Sequence, residues 1–287
     1  MCDECVSPIT LAITRNLVAD ATFPRVSRRR ADTVIAERGL ARSRASAAEA
    51  IRAGRVRIGS GGRRVAKPSE LIEPDADLTL AQGRDYVSRG GIKLANALDK
   101  LAIDVRGRDC LDVGASTGGF TDCLLQRGAA RVVALDVAHG QLDWGMRNDE
   151  RVHVIERLNA REMTPDDLPF TPSFATVDVS FISLAKVLPA VAAALAPEGE
   201  ILAMVKPQFE LGQHRVKGGV VRRPAERREA LLAVAGAARG LGLAVHGFAS
   251  SDLPGPKGNR ETFLWCSRSA DGLSEAEIDA AARKVEP

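Results

Sequence analysis

Nothing in the 287-residue sequence approaches ~18 consecutive apolar residues, so no segment reads as a membrane-spanning helix. The stretch Pro8 to Phe23 is moderately apolar, but Arg15 interrupts it and no basic region precedes it. It is not read as a secretory signal, and a cytoplasmic location is expected. Aromatic residues are only 4% of the chain, which leaves the core to Leu, Val, Ala and Ile. The five cysteines, Cys2, Cys5, Cys110, Cys123 and Cys266, are an odd number in a long chain, which argues against a disulfide framework. Cys2-x-x-Cys5 has the spacing of half a zinc site, yet no second pair follows. The histidines (His139, His153, His214, His246) are not spaced to complete it, so no metal is expected. No Gly-Lys-Ser/Thr sequence occurs, which removes support for nucleoside triphosphate hydrolysis.

The net charge of +3 conceals an uneven distribution. Residues 28–67 carry twelve basic residues: Arg28, Arg29, Arg30, Arg38, Arg42, Arg44, Arg52, Arg55, Arg57, Arg63, Arg64 and Lys67. Against them stand three acids, Asp32, Glu37 and Glu49, so the remainder of the chain is acidic. Such a basic module is the electrostatic footprint of a polyanion binder, and arginine's planar fork suits bidentate phosphate contact. The segment has no Phe, Tyr or Trp, so stacking of loose bases is excluded there. Recognition of folded RNA by shape and backbone is favoured. The competing reading is a solvated arginine-rich surface. The pattern predicts a helix over 31–38 stopped by Gly39, a second from about Ser43 to Gly54, and a strand with Val56 and Ile58 turning at Ser60-Gly61-Gly62. This order resembles the alpha-L RNA-binding module. Residues 28–81 are assigned to it, 1–27 to a flexible extension and 82–88 to a linker.

Beyond the linker the chain reads as alternating strands and helices, an α/β pattern with a mostly parallel sheet and an antiparallel last strand. The strand Cys110 to Val113 runs through Gly114-Ala115-Ser116-Thr117-Gly118-Gly119-Phe120 into a helix. A glycine-rich strand-to-helix turn lets a ligand approach the backbone, with amides aimed at its negative group. The next strand ends in Asp136, 24 residues past Asp112, where an acid suits a pair of ribose hydroxyls. Ser116 stands where a dinucleotide site wants its second glycine, and Asp112 would repel a pyrophosphate. Asp112 would instead suit the ammonium of S-adenosylmethionine, whose carboxylate needs only a few amides. S-adenosylmethionine is therefore the expected cofactor, over NAD and over a bare turn. Asn159, after the third strand, is placed either to reach an adenine edge or to cap the next helix. Further strands are expected near 174–178, 201–206, 244–248 and 261–265, with helices over 184–195 and 224–241.

Four charges interrupt or abut apolar runs: Lys93, Asp178, Lys206 and Glu261. Lys206 closes Ile201-Leu202-Ala203-Met204-Val205, a run that reads as a buried parallel strand, and Pro207 ends it. In open α/β sheets the ligand lies beyond the carboxyl ends of the strands. An antiparallel last strand brings Glu261 to that same rim. Each charge taken alone also reads as a surface residue at a strand end.

The motifs Ser88-Arg89-Gly90-Gly91-Ile92-Lys93-Leu94, Asp112 to Phe120, Ala134-Leu135-Asp136-Val137, Asp178-Val179-Ser180-Phe181-Ile182-Ser183, Val205 to Glu210 and Arg260-Glu261-Thr262 occur in unbroken order. With them the chain resembles the TlyA family of ribosomal RNA 2′-O-ribose methyltransferases, an alpha-L module joined to an FtsJ-like domain. The resemblance covers roughly Arg28 to Ser269. It implies a Rossmann-like methyltransferase domain over 89–270 and a Lys-Asp-Lys-Glu tetrad at Lys93, Asp178, Lys206 and Glu261. It also implies ribosomal RNA or ribosomal subunits as partners and methylation of cytidine riboses. On this resemblance Lys206 would orient and help deprotonate the 2′-hydroxyl, and Lys93 would contact the ribose or its phosphate. Asp178 would lie between cofactor and nucleophile, and Glu261 would hold Lys206. Residues 271–287 read as a C-terminal helical extension with Ser274 and Glu277 in a capping-box pattern, as in the longer members, which implies action on both small- and large-subunit rRNA. A monomer is favoured. A haemolysin, the label carried by some relatives, and an RNA-binding factor with a vestigial site are the alternatives.

Overall fold

A computed structural model describes residues 27–41, 43–52, 54–59, 62–80, 86–212, 215–269 and 271–287. The chain divides into two units, Met1–Gln82 and Gly83–Pro287. Arg42, His214 and the N-terminal residues 1–26, with Cys2 and Cys5, lie outside the described residues.

In the first unit, β1 (Arg29–Arg30) leads into α1 (Ala31–Glu37) and α2 (Arg44–Arg52), then β2 (Val56–Ile58), β3 (Leu71–Ile72) and β4 (Leu78–Leu80). Gly39 and Gly54 have φ of 71° and 72°, the left-handed backbone that lets the chain leave each helix without a Cβ clash. The backbone bonds Ile58 N–Arg63 O and Val65 N–Val56 O return the chain along β2, and β4 pairs antiparallel with the same strand. Ala31, Val34 and Ile35 of α1 meet Ala47, Ala50 and Ile51 of α2 over Val56 and Ile72, a core of small and aliphatic side chains without an aromatic.

The second unit is built on a seven-stranded sheet: β5 (Asp109–Val113), β6 (Arg131–Asp136), β7 (Val152–Glu156), β8 (Phe174–Val177), β9 (Glu200–Val205), β10 (Ala244–Ser250) and β11 (Thr262–Ser267). Their order is β10-β11-β9-β8-β5-β6-β7, with β11 antiparallel to both neighbours and the other pairs parallel. The helices are α3 (Arg89–Leu101), α4 (Gly119–Gln126), α5 (Trp144–Arg147), α6 (Leu188–Ala194), α7 (Pro207–Glu210), α8 (Pro224–Gly240) and α9 (Glu275–Val285). Strand alternation divides the core into two layers. Cys110, Leu202, Met204 and Phe263 pack with Leu94 and Leu98 of α3 and Leu124 of α4. Leu111, Val113, Ile201, Ala203 and Leu264 pack with α6, α8 and Ile278 of α9. Both faces being covered, β9 carries an unbroken buried apolar run from Ile201 to Val205, as expected for a strand of a parallel sheet, whereas β5 and β8 bury Asp112 and Thr176.

The helix expected over 184–195 is not continuous. A 3-10 turn at Leu184–Lys186 precedes α6, because Pro189 lacks an N–H and its ring opposes an unbroken helix through the preceding turn. At α9 both halves of the capping box form, Ser274 with the Glu277 amide and Glu277 with the Ser274 amide.

Candidate active site

Strand parity and the β9–β11 register assemble the site. Thr262 pairs with Val205, so the start of β11 and the end of β9 meet on one rim. Glu261 shares its parity with Phe263 and therefore turns toward the α3 layer, where it meets Lys93. Lys206 continues the Leu202–Met204 face and meets Asp178 at the exit of β8. A cavity of about 840 Å³ opens there and is lined by all four of these residues together with the Gly114–Phe120 turn.

The four charges form two pairs, and one pairing differs from expectation. Glu261 does not hold Lys206. The Lys93 ammonium donates to Glu261 Oε2, with both side chains buried. Lys206 Nζ instead lies 2.6 Å from Asp178 Oδ1 and donates to Ser180 Oγ at 2.9 Å. Each pair balances its own charge, which is what allows a buried lysine at all.

The glycine turn presents bare backbone to the cavity. Gly114 has φ of 86°, and a Cβ there would come within 2.6 Å of the Asp178 carbonyl oxygen, so the turn and the exit of β8 are in close contact. A Cβ on Gly119 would strike Ser88 Oγ, so that glycine lets α4 approach α3. Ser116 has φ of 49°, and its amide donates to Asp136 Oδ2 at 2.8 Å. Gly114, Ser116, Thr117, Gly119 and Phe120 line the cavity. Gly118 faces Leu142 and Met146 instead.

Three expected cofactor residues are placed differently. Asp112 is fully buried and does not line the cavity. Its carboxylate accepts from Thr121 at 2.7 Å and Thr176 at 3.2 Å, bracing the turn from behind instead of meeting an ammonium. Burial pushes this carboxyl up to about 7; the Thr121 hydrogen bond opposes the rise and the Asp178 charge adds to it. Asp136 also accepts from the Ala138 amide at 2.7 Å, so both its oxygens are engaged by backbone. Asn159 accepts from the Arg161 amide at 3.2 Å in a local turn and caps no helix; its neighbour Arg161 reaches the cavity wall.

Sequence reasoning did not single out several lining residues. Phe181 is 91% exposed, adopts a left-handed φ of 64°, and has its ring 5.2 Å from that of Phe209. A large aromatic in that conformation and that exposed is an outlier at a functional position. Its sequence signal is an aromatic residue inside the Asp178–Ser183 motif, three residues past the aspartate. Lys186 and Lys257 add further cations to the lining. Glu210 of α7 accepts from Ser183 Oγ at 2.6 Å and the Leu184 amide at 3.0 Å, tying the loop after β8 to the segment after Lys206.

In the first unit the arginines divide into two groups. Arg30 and Arg44 converge on Asp32, which is 3% exposed, at 2.7 and 3.2 Å. Arg28, Arg29 and Arg63 pair with Glu73, Glu37 and Glu70. Arg57 donates to the Gly62 carbonyl and Arg55 has its own contacts. Arg52, Arg64 and Lys67 have no side-chain partner among the described residues. Part of the apparent excess charge is thus spent on internal pairs.

Cys110, Cys123 and Cys266 are free and buried, and no group of three or more metal-ligating residues occurs among the described residues. Burial pushes the Cys110 and Cys266 thiols up to about 12, so both are inert core residues.

A parallel sheet reordered by one antiparallel strand, with a glycine turn and a charged rim at its carboxyl edge, defines a methyltransferase of the S-adenosylmethionine-dependent class. The FtsJ-like methyltransferase family matches residues 86–268, and the S4 domain matches residues 29–78. The chain is 49% identical over 258 residues to the 16S/23S rRNA (cytidine-2′-O)-methyltransferase TlyA of Mycobacterium tuberculosis, covering 87% of this chain and 96% of that protein. It is 44% identical to YqxC of Bacillus subtilis, covering 87% and 91%. A solved Streptococcus thermophilus structure that carries a haemolysin name superposes with a TM-score of 0.68 at 37% identity, covering 91% and 96%. The chain belongs to the TlyA family of FtsJ-like methyltransferases.

Proposed function

We propose that the protein transfers a methyl group to the 2′-oxygen of cytidine riboses in ribosomal RNA, and that it acts on both the small and the large subunit RNA. The observation that carries the chemistry is Lys206, a residue only 9% exposed, whose amine is paired with Asp178 and which lines the cavity beside the glycine turn. A relative that is 49% identical over 87% of this chain is named for both 16S and 23S rRNA, which supports the wider substrate range.

S-adenosylmethionine, when bound, supplies an electrophilic sulfonium methyl. The chain fits that cofactor through Gly114, Ser116, Thr117, Gly119 and Phe120, which line the cavity at the start of α4. A ribose hydroxyl is a weak nucleophile that must be aligned and relieved of its proton. Lys206, as the ammonium paired with Asp178, donates to the 2′-oxygen, which aligns the hydroxyl and weakens its hold on its proton; the proton leaves to solvent as the methyl is transferred. Lys93, held by Glu261, contacts the same ribose or its phosphate, and Arg161, Lys186 and Lys257 extend the positive lining toward neighbouring phosphates. The exposed Phe181 ring offers a stacking face for an unpaired base.

Purified 30S and 50S subunits are incubated with the protein and radiolabelled S-adenosylmethionine, and the product is mapped by resistance to alkaline cleavage, since a methylated 2′-oxygen cannot attack its own phosphate. Label in both RNAs is expected, and none with Lys206→Ala. Label in the 50S RNA alone removes the small-subunit assignment; full labelling by Lys206→Ala removes the proposed role of that amine. No helix among the described residues is long and apolar enough to cross a membrane. Lysis of liposomes by the purified protein without methyl donor would favour the haemolysin reading instead.

A further inference from the structure

An ammonium has three N–H directions. At Lys206 one of them is donated to Ser180 Oγ at 2.9 Å, while Asp178 Oδ1 lies 2.6 Å from Nζ as an ion-pair contact without hydrogen-bond geometry. The side chain is 10% exposed, so these two contacts set how the amine faces the cavity. An ion pair with one carboxylate alone leaves the amine free to swing around the Nζ–O axis. A second, neutral partner removes that freedom. Ser180 is suited to this because its hydroxyl accepts from the charged amine.

The hydroxyl is itself held in place. The loop that carries it is tied at its start by the Asp178 amide to the Val113 carbonyl at 2.8 Å. Its far end is tied by Ser183 and Leu184 to Glu210, which lies only four residues beyond Lys206. Between these ties Phe181 takes its left-handed φ of 64° against Phe209. The loop and the lysine are thus fixed to one frame, and Ser180 is exposed to the cavity while Lys206 stands behind it.

We propose that Ser180 is a positioning residue: it fixes the direction of one N–H of the Lys206 amine while Asp178 holds the amine by charge, so that the amine is aimed at the ribose 2′-oxygen. The proposal rests on the reading of Lys206 given above and adds a residue outside the four charges. Misalignment of a reacting group by about 1 Å costs on the order of 100-fold in rate. Ser180→Ala is therefore expected to lower kcat roughly 10- to 100-fold, with KM for S-adenosylmethionine and for RNA and the melting temperature unchanged. Ser180→Thr, which restores the hydroxyl, is expected to return kcat to within about threefold of the parent.

The same three proteins are trace-labelled with acetic anhydride, and the Lys206 amine is quantified by peptide mass spectrometry. Its reactivity is expected to change at least severalfold in Ser180→Ala and to match the parent in Ser180→Thr. Unchanged kcat in Ser180→Ala, a loss not recovered by Thr, or equal labelling in all three overturns the proposal. If the parent transfers no methyl while the labelling pattern holds, the functional reading fails and the positioning role stands.

Discussion

Asp112 shows how far burial alone can change the meaning of a side chain. Between the ordinary carboxylate range and about 7 the folded protein keeps this group protonated while the unfolded chain ionises it. The folded state then binds the extra proton, so this residue makes stability fall as pH rises from about 4 to 7, the reverse of a salt-bridged acid. Asp112→Asn removes the titration and can still hydrogen-bond to Thr121 and Thr176. Thermal melts from pH 4 to 7 are expected to show a smaller loss for the variant than for the parent; parallel curves would show that Asp112 does not titrate in this range. At the same scale, Ser180 and Phe181 carry more of the site than their residue types announce, because a loop with fixed ends sets where they stand.

Among the elements, α9 is seated by a buried polar knot rather than by its apolar stripe alone. Only Ile278 and Ala282 of the helix are buried. Just past it, Glu286 Oε2 pairs with Arg227 of α8 at 2.5 Å, and Oε1 accepts from Thr262 Oγ1 of β11 at 3.0 Å. Thr262 directly follows Glu261, so the knot also anchors the start of the strand that holds Lys93. Both charged partners are nearly inaccessible, at 5% and 2% exposure. Removing one leaves the other buried without a counter-charge, at a cost of roughly 3–5 kcal/mol, whereas replacing both by apolar groups is often close to neutral. Urea denaturation is therefore expected to show a large loss for Glu286→Ala and substantial recovery in the double variant Arg227→Met with Glu286→Leu. Equal loss in both would mean that the helix needs the knot for more than charge balance.

For the molecule as a whole, the division of charge between the two units makes RNA affinity salt-dependent. Each cation that contacts a phosphate adds about one unit to the slope of log affinity against log salt. Arg52→Ala and Lys67→Ala, at residues without a side-chain partner among the described residues, are each expected to reduce that slope by about 1 while leaving the melting temperature near the parent's. Arg30→Ala is expected to act differently, because it weakens the hold on buried Asp32 and so lowers stability. Filter binding to rRNA fragments over a salt series, run beside thermal melts, separates the two outcomes.

The order of strands and helices, the glycine turn, the antiparallel return of the last strand and the basic first unit all follow from local pattern: apolar runs, helix stops and turn residues act over a few positions, and the sequence alone specifies them. The four charges of the rim were legible for the same reason, since each breaks an apolar run. Their partners were not. Glu261 meets Lys93 because strand parity points it at α3, and Asp112 turns into the core because its strand neighbours do; both depend on contacts 168 and 64 residues apart in the chain. Likewise α6 begins late because Pro189 opposes the preceding turn, which was readable, while Glu210 and Glu286 gain their roles only where distant elements pack. Side-chain pairing across elements is decided by the tertiary arrangement, because a carboxylate removed from water takes whichever cation or hydroxyl the fold brings within reach.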